Sequence, residues 1–399
     1  MIDVQARLLR GSVFLAGELL ECILTFSNTA PHNVSSTACE NLAWASAQIH
    51  CQFHASESAV VLPPPSTTGL DVQAENETVF VPNRAGMSVS AGERGQCILS
   101  TAPKILFCDL RLDVGESKTY IYSEIIPPDA VPSFRGQAVK YAYKLTIGCQ
   151  RVNSPIKLLR VPFRVLVFPG LRDYRSPGDG ESVAPANPFL DEDVGDEEGC
   201  KRDNSLLEVA TELIMEATAQ RNPSTFNITS PWGKVGRFSI GRTVYRLGED
   251  VVGSFDFSNC TVPCLHLTVL LQSEEIVSEA CRRYAGQAPL VTTHAHHNEA
   301  CVHMLSTHAM LPLPLQATPS FSSETVALKW RLHFQFIVAS EPKEVPSFDM
   351  DEHESRVWHS TETVEADTLS WDLPITVLPS NPLHAGTVCQ LPTFTSISI

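Results

Sequence analysis

The sequence is poor in the features that mark a nucleic-acid-binding or membrane-spanning protein. Charged residues make up only 19% of the chain, acidic residues outnumber basic ones 45 to 29, and no basic run offsets the formal net charge of −16. A nucleic-acid-binding surface needs clustered cations to displace phosphate counterions, so this composition argues against that class. No apolar stretch reaches the roughly 20 residues that a membrane-spanning helix requires.

The amino-terminal segment also lacks the pattern of a secretion signal, because Asp3, Arg7 and Arg10 fall where an apolar core would be required. We therefore expect a cytosolic chain whose 12 cysteines act as small buried hydrophobic residues rather than as disulfide partners. Four of them, Cys22, Cys51, Cys97 and Cys149, alternate with apolar residues in strand-like stretches.

Motifs that carry catalysis or cofactor binding are missing as well. The sequence has no G-x-S-x-G elbow, no phosphate-binding Walker loop and no G-x-G-x-x-G turn. It also has no P-P-x-Y motif, which argues against an adaptor that recruits ubiquitin ligases. We expect no enzymatic activity, no catalytic residues, no metal and no cofactor.

The pattern that is present favours strands. Proline outnumbers glycine, 28 to 21, and helical periodicity is scarce, as in all-β chains rich in turns. A chain of 399 residues exceeds what a single hydrophobic core supports, so two domains are expected.

A repeated plan indicates that the two domains are of one kind. Residues 13–28, VFLAGELLECILTFSN, match residues 244–259, VYRLGEDVVGSFDFSN, in an apolar start, a Gly-Glu pair and an alternating strand. The glycines, Gly17 and Gly248, fit the positive φ of a tight turn. The glutamate that follows, Glu18 in the first copy, is expected to begin the next strand at a solvated turn.

A second pair of segments recurs in the same order. Residues 132–147, PSFRGQAVKYAYKLTI, match residues 319–334, PSFSSETVALKWRLHF. Both alternate between apolar and polar residues after the shared Pro-Ser-Phe, which predicts strands with one face in a core. Tyr143 and Trp330 take equivalent inward positions on these strands.

A third pair of segments should close each unit. Residues 160–170 and 372–380 are apolar strands interrupted once by proline, which suits a sheet edge or a bulge. The repeats predict an N-terminal β-sandwich, an acidic linker with one short helix, a C-terminal β-sandwich and a tail, over residues 1–170, 171–229, 230–381 and 382–399.

The linker is a poor core former. Residues 191–198, DEDVGDEE, include six acidic side chains, a composition typical of disorder. Ser205 and Glu208 form a capping box, which predicts a helix that begins at Asn204 or Ser205. The apolar stripe of this helix must dock on its own domain or on a partner. Its members are Leu206, Val209, Ala210, Leu213, Ile214 and Ala217.

The Gly-Glu hairpin, the Pro-Ser-Phe strand and the proline-interrupted closing strand together resemble the arrestin fold, which implies two immunoglobulin-type β-sandwiches. The runs at 42–57, 92–120, 134–162 and 244–253 are similar, more specifically, to the Rgp-type subunit of Golgi Ric–Rgp complexes. That resemblance implies a non-catalytic partner subunit of a heterodimeric guanine-nucleotide exchange factor. It would pair with a larger Ric-type subunit and promote GDP release from a Rab-six-type GTPase, supporting endosome-to-Golgi retrograde transport.

The resemblance further implies a location in the cytosol and, through partners, at the peripheral Golgi membrane. It assigns no partner-binding or exchange residues to positions in this chain. An alternative drawn from the fold is a cargo adaptor of the arrestin or retromer kind, which would bind a sorting peptide by strand addition at a sheet edge. A pull-down experiment distinguishes the two hypotheses. Recovery of a stable large partner and of a GDP-bound or nucleotide-free Rab would favour the first, and recovery of receptor tails would favour the second.

The segment that most resembles a metal site is THAHHNEACVH, with His294, His296, His297, Cys301 and His303. Imidazole and thiolate are zinc ligands, but no C-x-x-C pair accompanies them and no zinc-finger spacing fits. We interpret the cluster as a polar loop ahead of a strand.

Two further residue pairs resemble functional motifs. His50 and His54 alternate with apolar neighbours, which predicts a solvated or partner-facing sheet surface rather than a catalytic pair. Cys260 and Cys264 have the wrong spacing for a redox pair and are interpreted as core residues.

Overall fold

The fold is given by a computed structural model, which describes residues 1–30, 39–61, 93–171, 197–339, 365–389 and 391–399. Strands dominate these ranges, so the predicted all-β class is confirmed. The finer arrestin-like relation stays a prediction. Of the helices described, none is both long and apolar enough to cross a membrane.

The elements follow one another along the chain in two groups of strands. The first group contains β1 Ile2–Leu8, β2 Val13–Leu15, β3 Leu19–Asn28, β4 Glu40–Ser56, β5 Glu93–Ser100, β6 Lys104–Leu112, β7 Ser117–Ile125, β8 Phe134–Arg135, β9 Val139–Arg151 and β10 Lys157–Leu166. Helix α1, Glu197–Ala219, follows. The second group contains β11 Ser224–Ser230, β12 Gly233–Ile240, β13 Val244–Arg246, β14 Asp250–Asp256, β15 Cys264–Val277, β16 Leu290–Ala300, β17 Ser306–Pro312, β18 Phe321–Ser322, β19 Val326–Ala339 and β20 Ala366–Leu378. Helix α2, Pro382–Val388, and strand β21, Phe394–Ser398, come last.

Each group builds a sandwich of two sheets. In the first, the sheet β21-β1-β3-β7 packs against the sheet β2-β10-β9-β4-β5, with β6 also paired to β4 and β8 to β9. In the second, β11-β12-β14-β17 packs against β13-β20-β19-β15-β16, with β18 paired to β19. The boundaries at residues 170 and 230 stay a prediction, although β11 already begins inside the predicted linker.

The Gly-Glu repeat is the same structure twice. Gly17 has φ 90° and Gly248 has φ 87°, the left-handed region that glycine adopts without strain. The Glu18 carboxylate accepts a hydrogen bond from the Leu15 N–H at 2.7 Å, and Glu249 occupies the matching place in the second copy. The prediction of a solvated turn is wrong for Glu18, which is buried because its carboxylate turns inward to satisfy that N–H.

The Pro-Ser-Phe repeat is equally regular. The predicted inward positions of Tyr143 and Trp330 are confirmed, since each side chain is 1% exposed. Tyr143 Oη donates to the Val131 carbonyl at 2.7 Å, and Trp330 Nε1 donates to the Thr318 carbonyl at 3.2 Å. Each polar tip therefore bonds to the carbonyl twelve residues upstream in its own repeat.

The predicted core faces of the repeats are confirmed as well. Every residue that the alternation places inward on these strands is buried: Leu20, Cys22, Leu24, Phe26, Val139, Tyr141, Tyr143, Leu145, Ile147, Val326, Leu328, Trp330, Leu332 and Phe334.

Helix α1 exists as predicted, but its predicted start is wrong. It begins at Glu197 rather than near Asn204. The acidic run at 191–198 otherwise lies outside the described residues. The apolar stripe docks within the chain, since Ala210 packs with Leu15 and Leu166 of the first sandwich.

The segment predicted as a tail returns to the first sandwich. Helix α2 packs beside β2 through Ala385. Strand β21 then pairs antiparallel with β1, with Asp3 opposite Ser398 and Arg7 opposite Phe394. The first sheet therefore contains residues from both ends of the sequence.

Candidate functional site

The histidine cluster lies in strand β16 and not in the predicted polar loop, so that prediction is wrong. The strand is recognisable only from its pairing with β15, because its sequence lacks a clear apolar alternation. His294 lies at a bulge in this pairing and stacks on the Trp330 ring, with ring centroids 4.5 Å apart. Its Nε2 lies 2.8 Å from Ser273 Oγ.

The other histidines of the cluster do not converge on a shared point. His297 lies 3.1 Å from the Glu299 carboxylate, whereas His296 is exposed and His303 lies in the turn beyond the strand. No group of three or more histidine, cysteine or acidic side chains within the described ranges is arranged to hold a metal ion.

The half-buried position of His294 should make folding depend on pH. Burial lowers the pKa of His294 below its ordinary value of 6.5, so the folded protein binds this proton less readily than the unfolded chain. Stability should therefore be full above pH 6.5 and decline as the pH falls below that value. We expect His294→Gln to reduce the difference in Tm between neutral and mildly acidic solution, measured by circular dichroism.

His296→Gln is the matched control, because His296 is exposed on the same strand. It should leave the pH dependence as in the wild type. An identical pH profile for the two variants would contradict the assignment to His294.

His50 departs from the predicted solvated surface. The alternation is as expected, but His50 is buried, with Cys97 Sγ 4.0 Å and Ser100 Oγ 3.5 Å from its Nδ1. Burial, followed by the nearby Arg160 charge, lowers the pKa of His50. His54, by contrast, is partly accessible.

The cysteines behave mainly as core residues. Burial raises the pKa of Cys22, Cys51 and Cys149 to about 12, so these thiols stay protonated and unreactive. The interpretation of Cys264 as a core residue is confirmed, whereas Cys260 is exposed and that part of the interpretation is wrong.

The junction between the sandwiches is organised around Glu275 of β15. Its carboxylate accepts hydrogen bonds from the backbone N–H groups of Gln137 at 2.6 Å, Ala138 at 3.1 Å and Val139 at 2.9 Å. Glu275 is only 4% exposed, so a buried carboxylate of the second sandwich is held by three donors of the first. The sequence indicates that Glu275 points inward, because it lies an even number of residues after the buried Leu271 on β15.

Apolar and polar contacts extend this junction. Phe134 and Phe321, which are equivalent in the Pro-Ser-Phe repeat, meet edge to face with centroids 5.1 Å apart. Arg164 donates to the Ala317 carbonyl at 2.6 Å, and the Val61 N–H donates to the Cys281 carbonyl at 2.9 Å. The two sandwiches therefore share a buried, hydrogen-bonded interface.

The end of the second sandwich that lies away from the junction has exposed apolar side chains, which the sequence did not predict. Trp232 is 61% exposed in the β11–β12 hairpin, and Leu305 is 70% exposed before β17. The Leu305 carbonyl accepts from Phe257, and Lys234 N–H donates to Thr261 Oγ1 at 2.8 Å, which ties the neighbouring loops together. Single exposed apolar side chains of this kind are common on protein surfaces.

These observations define an all-β protein of two joined sandwiches. A family model described as Rgp1 matches residues 69–171 and 182–339, well over half of the chain. The chain belongs to the Rgp1 family.

Two curated relatives cover almost the whole sequence. The chain is 55% identical over 403 residues to the RAB6A-GEF complex partner protein 2 of Homo sapiens, covering 100% of both chains. It is 56% identical over 379 residues to the protein of the same name from Bos taurus, covering 94% of this chain and 93% of the relative. The predicted resemblance to the Rgp-type subunit is thereby confirmed.

Proposed function

We propose that this chain is the non-catalytic partner subunit of a guanine-nucleotide exchange factor for a Rab-six-type GTPase. It pairs with a larger Ric-type subunit and acts on peripheral Golgi membranes, which it reaches through partners, in retrograde transport from endosomes. The observation that carries the proposal is 55% identity over the full length to a relative named as a partner protein of a RAB6A-GEF complex.

The fold supports a role in holding other proteins. An exchange factor works through a differential affinity, since it binds the nucleotide-free GTPase better than the loaded form. The joined sandwiches give a continuous framework on which two partners can be held in one orientation, because the Glu275 junction fixes one sandwich against the other.

A GDP-release assay tests the proposal directly. Four samples are compared: the Rab alone, with this chain, with the Ric-type subunit, and with both. We expect a fluorescent GDP analogue to be released fastest with both proteins and at the basal rate with this chain alone. Binding of the Rab to the two-protein complex should tighten when nucleotide is removed.

Two results would contradict the proposal. Full acceleration by the Ric-type subunit alone would show that this chain is not needed for exchange. No acceleration by both proteins, together with binding to receptor-tail peptides, would instead favour the cargo-adaptor hypothesis.

A further inference from the structure

Cys264 and Cys301 lie side by side at one end of the pairing between β15 and β16. In that pairing Leu267 lies opposite Glu299, and Cys301 follows Glu299 two residues later on the same face of the sheet. A bulge at the start of β15 returns Cys264 to the core face, opposite the buried Val338 of β19. The two cysteines therefore occupy the next cross-strand row of this face.

The two thiols are within reach of each other. The Cys301 N–H donates to the Leu265 carbonyl at 2.9 Å, which continues the strand pairing beyond the end of β16. The Cys264 thiol donates a hydrogen bond to Cys301 Sγ. Both residues belong to the core of the second sandwich and are 4% and 2% exposed. Side chains in one cross-strand row have Cβ atoms about 4.5–5.5 Å apart, close to the separation that a disulfide spans.

The hydrogen bond between the thiols makes the two cysteines chemically unequal. It lowers the pKa of Cys301 below the ordinary value of 9.0, although burial opposes this shift. The same hydrogen bond, followed by burial, raises the pKa of Cys264. Cys301 is therefore the first of the two to become a thiolate, which is the form that attacks an oxidant. Cys264 then lies in contact with the oxidised sulfur.

Both cysteines lie where strands end, so a local opening is enough to bring them to solvent. Cys264 is the first residue of β15, and Cys301 follows the last residue of β16. The turn beyond Cys301 contains His303, with φ 63°, and the 70% exposed Leu305. Strand ends and exposed turns open at a lower free energy than the centre of a sheet. A small oxidant can therefore reach thiols that are buried in the closed form.

We propose that Cys264 and Cys301 form a reversible disulfide that fastens strand β16 to β15 when a hydroperoxide is present. The Cys301 thiolate attacks an oxygen of hydrogen peroxide, so that a sulfenic acid forms and hydroxide leaves. The Cys264 thiolate then attacks that sulfur, the S–S bond forms and a second hydroxide leaves. With the two thiol protons, the two hydroxides become two waters. A dithiol reductant reverses the step by thiol–disulfide exchange, and the step is independent of the exchange function.

The test treats the full-length protein with hydrogen peroxide, blocks the remaining thiols with iodoacetamide and maps linked peptides by mass spectrometry without reduction. We expect a peptide pair that joins Cys264 to Cys301 and separates when dithiothreitol is added. Cys301→Ser should make oxidation of Cys264 roughly tenfold slower, because the thiolate that reacts first is lost. Cys260→Ser is the matched control, since Cys260 is an exposed cysteine close to Cys264 in the chain, and it should leave the link unchanged.

The peptide mapping uses the wild-type protein, so its result stands even if Cys301→Ser does not fold. The linked protein should also unfold at a Tm about 5 °C above that of the reduced protein, because the link restricts the unfolded chain between residues 264 and 301. Free thiols at both positions after peroxide treatment overturn the proposal, as does a link from Cys264 to Cys260 in place of Cys301. An unchanged or lower Tm of the linked protein also overturns it.

Discussion

Replacing Trp330 with alanine should lower the free energy of unfolding of the second sandwich by about 3–5 kcal/mol, the usual cost of truncating a buried aromatic residue. The side chain is 1% exposed, stacks against His294 and bonds through Nε1 to the Thr318 carbonyl. The truncation therefore leaves a cavity and an unpaired carbonyl. Urea unfolding followed by circular dichroism measures the loss.

Trp232→Ala is the matched control for this prediction. Trp232 is largely exposed, and its Nε1 bonds to the Asp367 carboxylate at 2.9 Å on the surface. We expect it to change the free energy of unfolding by less than about 1 kcal/mol. Equal midpoints for Trp330→Ala and the wild type would show that the ring is not part of the core.

Replacing Glu275 with glutamine should loosen the junction between the sandwiches and lower stability by about 3 kcal/mol, since hydrogen bonds to a charged group contribute more than neutral ones. A glutamine offers one acceptor oxygen, and its amide group would face N–H donors that the carboxylate now satisfies. Small-angle scattering should show a wider distribution of shapes, alongside a lower unfolding midpoint in urea.

The junction can be tested from its other side. A Cβ added at Gly136 would collide with the Glu275 carboxylate, so Gly136→Ala should reproduce the effect of the glutamine variant. Glu279→Gln is the control, because Glu279 is 90% exposed and should be close to neutral. Wild-type scattering for both junction variants would rule out Glu275 as the element that fixes the sandwiches together.

The repeats carried most of what the sequence could predict. The alternation of apolar and polar residues placed Tyr143 and Trp330 correctly, because every second side chain of a half-buried strand faces the core. The Gly-Glu element located the tight turns for a similar reason, since a positive φ restricts the choice of residue. Both signals are local.

The features that the sequence did not predict depend on contacts with residues that are distant in the chain. Strand β16 has a polar sequence and is defined by its pairing with β15, so His294 was placed in a loop. Glu275 could be read as an inward position, but its three donors lie near residue 138, in the other sandwich.

The pairing of β21 with β1 has a consequence for how the protein is made and engineered. The N–H of Ile2 bonds to the carbonyl of Ile399 at 3.1 Å, and the reverse bond is 2.7 Å. During translation, the first sheet cannot be completed until residues 394–398 have left the ribosome. Because residues 2 and 399 are direct neighbours, a short glycine linker could join them, and the sequence could then be opened at a surface turn to give a circular permutant that keeps every strand.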